Sequence, residues 1–213
     1  MKRTAWMFVY LAILVISSPN ALANTKTFDD LATGEYGQSL LYGDIAVKAI
    51  PTAHLMITDF TSDGFGKAHS LPNKLSVRGG EPLTTEQTSM LIDFANPVEG
   101  VNFWLTGTFH DTTVTAYNNF GTSIESFTQT YPTSGSTAPD GRPWDFYYDD
   151  QLRFIELSSS GISQLFIQPS AHDGFSIDDL SYTVTPEPVS AALFLLGGGT
   201  LLLRKRRFKH NRP

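Results

Sequence analysis

Between residues 24 and 185 no stretch carries the sustained three-to-four-residue apolar spacing of an amphipathic helix. Short runs with a two-residue period, or compact and aromatic-rich, recur instead between turn-forming residues, and these are the marks of half-buried strands. In 45–50, Ile45, Val47 and Ala49 face one way while Ala46 and Lys48 face the other. Compact apolar runs stand at 54–58 and 90–94. Within 101–105, Val101, Phe103 and Leu105 share a face, and Asn102 and Trp104 share the opposite one. Runs at 112–117 and 123–130 are joined by Asn118-Asn119-Phe120-Gly121, a turn rich in residues that tolerate positive φ. Runs at 153–157, 164–168 and 175–184 complete the set. Strands without alternating helices predict an all-β, two-sheet antiparallel sandwich. The breaker-rich segments 60–78 and 132–144 read as irregular loops within a single domain.

The two ends of the chain follow different rules. Lys2 and Arg3, an apolar stretch from Ala5 to Ile16 and the small-x-small sequence Ala21-Leu22-Ala23 have the layout of a secretory signal peptide over 1–23, cut before Asn24. At the other end, Pro186-Glu187-Pro188 leads into an apolar run from Val189 to Leu203, closed by Arg204, Lys205, Arg206 and Arg207. A spanning helix needs roughly 20 apolar residues. The stretch 186–203 is short but workable if Pro186-Glu187-Pro188 sits at the headgroups, and the basic block would stay on the cytoplasmic side.

Tripeptide, apolar span and basic cluster, in that order, resemble the PEP-CTERM sorting signal of Gram-negative bacteria that make exopolysaccharide. The resemblance covers 186–213 and implies an exosortase as processing partner. It also implies a localisation: export through the inner membrane, a transient hold there by the C-terminal transmembrane sorting helix, then the outer surface or extracellular matrix. Three parts result, a signal peptide at 1–23, a sandwich domain at 24–185 and a sorting segment at 186–213.

Removing both end segments changes the charge. They hold eight of the 15 basic residues but one of the 21 acidic ones, leaving a body with seven against twenty and a net charge of −13. So acidic a body argues against a nucleic-acid partner. It favours solubility and leaves carboxylates available for divalent cations. The chain has no cysteine, so thiolate catalysis, redox motifs and Cys-based zinc sites are excluded, and the fold rests on its core.

Thr27-Phe28-Asp29-Asp30-Leu31 near the start of the body and Gly174-Phe175-Ser176-Ile177-Asp178-Asp179-Leu180-Ser181-Tyr182 near its end bracket three further elements. These are Val101-Asn102-Phe103, the run 114–124 with Gly121, and Gly161-Ile162-Ser163-Gln164-Leu165-Phe166-Ile167. The order resembles the jelly-roll β-sandwich bodies of many PEP-CTERM proteins, distantly similar to carbohydrate-binding modules. Within 175–184, Phe175 and Ile177 fall on odd positions but Leu180, Tyr182 and Val184 on even ones. A one-residue slip of this kind needs a β-bulge at Asp178-Asp179. Adjacent carboxylates there are costly unless solvated, hydrogen-bonded or neutralised by a cation. If the first and last strands are neighbours, as jelly rolls often arrange them, Asp29 and Asp30 would join Asp178 and Asp179. Four carboxylates would suit a structural Ca2+, which takes 6–8 oxygen ligands; the competing reading makes them turn formers bonded to their own backbone.

Sugars stack on exposed rings and give their hydroxyls to carboxylates. Trp144, Tyr147 and Tyr148, interleaved with acids in 144–150, therefore form one glycan-binding candidate, and Trp104 a second. The competing reading sends alternate rings into the core. Catalytic signals are poor: no Gly-x-Ser-x-Gly, no His-Glu-x-x-His, and His54, His69, His110 and His172 stand apart in sequence. The sequence thus reads as a non-catalytic component of the cell surface or exopolysaccharide matrix that binds glycan. The alternative is a hydrolase that modifies or cleaves glycans on the same scaffold. In the native host, replacing Arg204, Lys205, Arg206 and Arg207 with Ser should impair membrane retention or processing, read by fractionation and mature mass; no change in either would count against the sorting signal.

Overall fold

The computed structural model describes residues 23–51, 53–59, 69–70, 72–78, 88–108, 110–130, 152–171 and 174–184. Residues 1–22 of the signal peptide expected at 1–23, the expected sorting segment 186–213 and the candidates Trp144, Tyr147 and Tyr148 lie outside the described residues. One compact unit spans Leu22–Val184.

Every regular element among the described residues is a strand: β1 Ala23–Lys26, β2 Gly34–Gly37, β3 Ser39–Tyr42, β4 Ile45–Ile50, β5 His54–Asp59, β6 Asn73–Arg78, β7 Ser89–Thr106, β8 Thr112–Tyr117, β9 Ser123–Gln129, β10 Arg153–Pro169 and β11 Phe175–Val184. All pairings are antiparallel. No helix of the described residues is long and apolar enough to cross a membrane.

A continuous ladder runs β2-β5-β6-β11-β7-β10-β8-β9, and two long strands change neighbours along their length. The first half of β7 pairs β4 (Ile45↔Phe94 to Ile50↔Ser89), and its second half pairs β11. In β10, the second half pairs β8 as well as β7. The β7–β10 register slips three times between Leu157 and Gln164. The sequence supplies the cause on both sides. Pro97 in β7 cannot donate to a ladder, and Gly161 in β10 adopts φ 77°, so extra residues are absorbed as bulges and the strands bend. The sheet folds over on itself in two layers that share β7 and β10. Alternate side chains of all the principal strands meet between them in one core that includes Val47, Leu55, Leu75, Ile92, Phe103, Val114, Ile167 and Ile177. Phe94 and Tyr182 meet edge-on there at 5.0 Å.

The sequence expectations for β4, β8 and β11 hold to the residue, and Asn118 makes the β8–β9 turn as anticipated. Its carboxamide oxygen accepts the N–H groups of Phe120 and Thr122, and Gly121 takes φ 73°. Three corrections are needed. The runs at 90–94 and 101–105 are one strand, and so are those at 153–157 and 164–168, because bulges rather than turns separate the halves. Three short strands, β1 to β3, lie ahead of the first one expected; at four residues each they are too brief for a periodicity to show. Finally, 60–78 does not stay irregular, since Asn73–Arg78 is β6, an interior strand of the ladder with Leu75 and Val77 toward the core.

The N-terminal strand is held by a polar network. Lys26 Nζ lies 2.8 Å from Asp44 Oδ1, which also accepts the Tyr182 hydroxyl at 2.6 Å. The Lys26 ammonium stands 5.2 Å over the Tyr42 ring, and the Tyr42 hydroxyl donates to Asp30. Burial pushes the Asp44 carboxyl up, but the Lys26 and Tyr182 bonds outweigh it and leave the group below the usual carboxylate range. Burial, and then Asp44 itself, raise the Tyr182 phenol strongly. Tyr182→Phe removes one charge-assisted hydrogen bond and leaves the ring in place, so it should cost about 1–2 kcal/mol. By the size scaling this lowers the melting midpoint by roughly 3–7 °C; thermal unfolding by circular dichroism reads it, and an unchanged midpoint would show the bond to be idle.

Candidate functional site

On the layer built from β5, β6, β11, β7 and β10, the side chains facing away from the hydrophobic core are polar and aromatic; Lys74, Ser76, Thr106, Ser176 and Asp178 among them are buried, Trp104 is half-buried and Phe154 is exposed. The register sets Phe154 of β10 opposite Trp104 of β7, and Trp104 opposite Asp178 of β11. These three side chains therefore stand in one row, because directly opposed residues share a face. One step past the Ile177↔Leu75 pair, Lys74 of β6 continues the row. The rings of Trp104 and Phe154 have centroids 5.1 Å apart at 56°, and Phe154 is 49% exposed.

The bulge inferred from the phase slip is present. Asp178 pairs with Trp104 and Ser181 with Asn102, so β11 takes three steps where β7 takes two. Asp179 absorbs the extra residue with φ 50°, a conformation that Asp tolerates better than most residues. Phe175, Ile177, Leu180 and Tyr182 all reach the core as a result. Asp178 and Asp179 are turned toward residues 69 and 70.

Those residues supply what the carboxylates need. Asp178 is fully buried. Its Oδ2 accepts the backbone N–H of His69 at 2.7 Å and of Ser70 at 2.8 Å, and its Oδ1 accepts the N–H of Asp179 at 2.8 Å. Asp179 binds the His69 ring through Nδ1 at 2.5 Å and accepts the Ser70 hydroxyl at 2.9 Å. The His69 imidazole lies flat on the Trp104 indole, with centroids 4.2 Å apart and planes 10° from parallel. Burial pushes the Asp178 carboxyl up to about 6; the Ser70 N–H pulls against this, and the Asp179 charge adds to it.

A string of hydroxyls runs along the same face. Thr58 Oγ1 and Ser76 Oγ are 2.8 Å apart, and Ser76 Oγ and Ser176 Oγ 2.7 Å. Thr106, directly across from Ser176 and two residues beyond Trp104, is buried, and its hydroxyl has no partner. Asn102 and Glu156, opposite one another, flank the rings on the other side.

Trp104 is thus where the sequence put it, on the face away from Phe103, half-buried and in contact with two other rings. Of the four acids expected to hold calcium, both pairs stand beside the start of β6, since β1 and β11 are indeed neighbours. They do not converge. Asp29 Oδ1 accepts the Asn73 N–H at 3.0 Å, Asp30 takes the Tyr42 hydroxyl, and Asp178 and Asp179 take the donors above. Among the described residues no group of three or more His, Asp or Glu side chains is placed to hold a metal ion. N–H and O–H donors offset part of the desolvation that a cation was expected to offset. His69, which the sequence left isolated, and Phe154, which it did not single out, are the residues that reasoning missed; neither the contacts of His69 with Trp104 and Asp179 nor that of Phe154 with Trp104 leave any local spacing to read.

No family model matches the chain, and no curated protein does so either. Solved structures do. The K2 cleaved adhesin domain of Lys-gingipain aligns with 13% identity over 76% of this chain and 100% of that domain, with a TM-score of 0.53. The K1 adhesin domain of the same protein from Porphyromonas gingivalis W83 aligns at 10% identity over 77% and 99%, TM-score 0.45. TmCBM61, solved with β-1,4-galactotriose, aligns at 13% identity over 68% and 90%, TM-score 0.41. The first likeness is one of fold; the other two are looser.

Asp178 gives the site a pH signature. A carboxyl whose pKa is higher folded than unfolded holds its proton better in the native state, so its contribution is complete below the unfolded value and is lost as pH rises through about 6. The stability difference between wild type and Asp178→Asn should shift in favour of the variant by about 2–3 kcal/mol between pH 4 and pH 7. Urea titrations at both pH values measure it; a difference that does not change with pH would place the Asp178 titration in the ordinary carboxylate range.

Proposed function

We propose that this is an exported, non-catalytic cell-surface or matrix protein whose jelly-roll-like β-sandwich body binds glycan through the patch formed by Phe154, Trp104 and His69. The observation that carries the reading is the row of rings itself. Trp104, in contact with the rings of both His69 and Phe154, stands on the outward face of a sheet, beside a carboxylate at a bulge and beside Asn102 and Glu156. Apolar pyranose faces stack on such rings, and amide and carboxylate oxygens take the sugar hydroxyls, the usual division of labour in a specific ligand site. A fold in common with an adhesin domain accords with a binding role, although fold alone does not assign function.

Export, sorting by an exosortase and a transient membrane hold are proposed from Pro186, Glu187, Pro188 and the block Arg204, Lys205, Arg206 and Arg207. A non-catalytic role is favoured by the state of the acids nearest the rings. Asp178 is buried under three backbone N–H donors and Asp179 is bound to His69 and Ser70, an arrangement suited to holding a shape.

Phe154 is exposed and can be truncated with little effect on folding. Phe154→Ala should retain the wild-type circular-dichroism spectrum and lose about tenfold in affinity, some 1.4 kcal/mol, for whichever oligosaccharide a glycan array identifies. Trp104→Ala should lose more. A wild-type protein that binds nothing on the array, or a Phe154→Ala variant that binds as well as wild type, would sink the reading.

A further inference from the structure

Of all the contacts on this face, that of His69 with Trp104 is the most heavily supported. Two backbone N–H bonds from residues 69 and 70 to Asp178 fix the main chain, and the Asp179 carboxylate fixes the imidazole through Nδ1. The indole face toward His69 is therefore already covered by a flat ring carrying a nitrogen that is bound to a carboxylate. We propose that His69 is an internal ligand of the Trp104–Asp179 subsite, and that the glycan which displaces it is one bearing ammonium groups, a deacetylated amino-sugar polymer.

This rests on the glycan-binding reading above and narrows it. The two contacts of His69 define what a replacement must offer at once, a flat face for the indole and a nitrogen donor for Asp179. A 2-amino-2-deoxypyranose offers both, with the ammonium on a carbon adjacent to the stacked ring face. A cation near an indole face is further favoured by the ring quadrupole. A neutral sugar could take the stack but would leave Asp179 without its nitrogen partner, and a uronic acid would set a second carboxylate against it.

Two other observations point the same way. The body carries a net charge of −13, which draws in a polycation and repels an acidic polysaccharide at long range. Thr106, on the same face two residues from Trp104, has a buried hydroxyl with no partner, a hydrogen-bonding group left over at the margin of the subsite. The exchange asks little of the fold. Both N–H bonds to Asp178 belong to the backbone and persist when the imidazole rotates away about χ1, so only a side chain has to move.

The experiment compares full-length wild type with His69→Ala and Asp179→Asn, titrated with glucosamine hexamer and N-acetylglucosamine hexamer by calorimetry. Wild type should bind the glucosamine hexamer at least tenfold tighter than the acetylated one. His69→Ala should bind it a further 3–10-fold tighter, and Asp179→Asn should lose the preference. Affinity unchanged or weakened in His69→Ala would make His69 a contact and overturn the internal ligand, while the glycan reading stands. Equal binding of hexalysine, with the same response to His69→Ala, would overturn the assignment to sugar. If no glycan binds at all, the glycan reading fails on its own account. The cap is then tested separately in a Trp6→Phe, Trp144→Phe background, where Trp104 is the one remaining tryptophan, by acrylamide quenching: His69→Ala must raise the quenching constant severalfold, and an unchanged constant refutes it.

Discussion

A carboxylate with no access to water sits at the centre of this architecture. Asp178 is buried on the side of the sheet away from the hydrophobic core, and desolvating such a group without partners costs several kcal/mol. That constraint organises its surroundings. The chain at residues 69 and 70 has to approach with its N–H groups turned inward, and β6 follows within three residues. Asp179 has to leave the ladder, which makes the bulge, and the bulge restores Leu180 and Tyr182 to the core. Take away the donors and both the register of β11 and the position of the His69 ring lose their cause.

The architecture was largely legible because it depends on alternation. Ile45, Val47 and Ala49 toward the core, or Val101, Phe103 and Leu105, follow from a period of two, and so did the bulge, since one slipped residue leaves its trace in the parity of Phe175, Ile177, Leu180 and Tyr182. What alternation does not encode is which breaks are turns and which are bends. The runs at 90–94 and 101–105, like those at 153–157 and 164–168, read as separate strands, yet the ladder resumes beyond Pro97 and Gly161 because partner strands continue on both sides. Strand-length reasoning also cannot reach β1 to β3, four residues each, whose existence is decided by the neighbours they pair with.

The site was half visible for a related reason. Trp104 could be placed on the outward face because its own strand dictates it. The pairing with His69 joins residues 35 positions apart, one of them on an irregular stretch, and Phe154 meets Trp104 only through the register between β7 and β10. The acidic pairs show the same limit from the other side. The sequence correctly said that Asp178 and Asp179 needed something, but N–H donors, hydroxyls and cations all answer that need, and a list of acids does not choose among them. In the structure three main-chain N–H groups meet the Asp178 carboxylate.

The pairing of β1 with β11 has a consequence of another kind. Asn24, where the body expected from sequence begins, stands opposite Tyr182 of the last strand, so the two ends of the body are neighbours across a single ladder. A bond between them could be made with a short bridge and no disturbance of either layer, and the chain could be opened instead at the exposed turn around Phe120. Such a rearranged molecule would keep every strand pair while exchanging which contacts are local in sequence. In this fold the order of the strands along the chain is separable from their order in space.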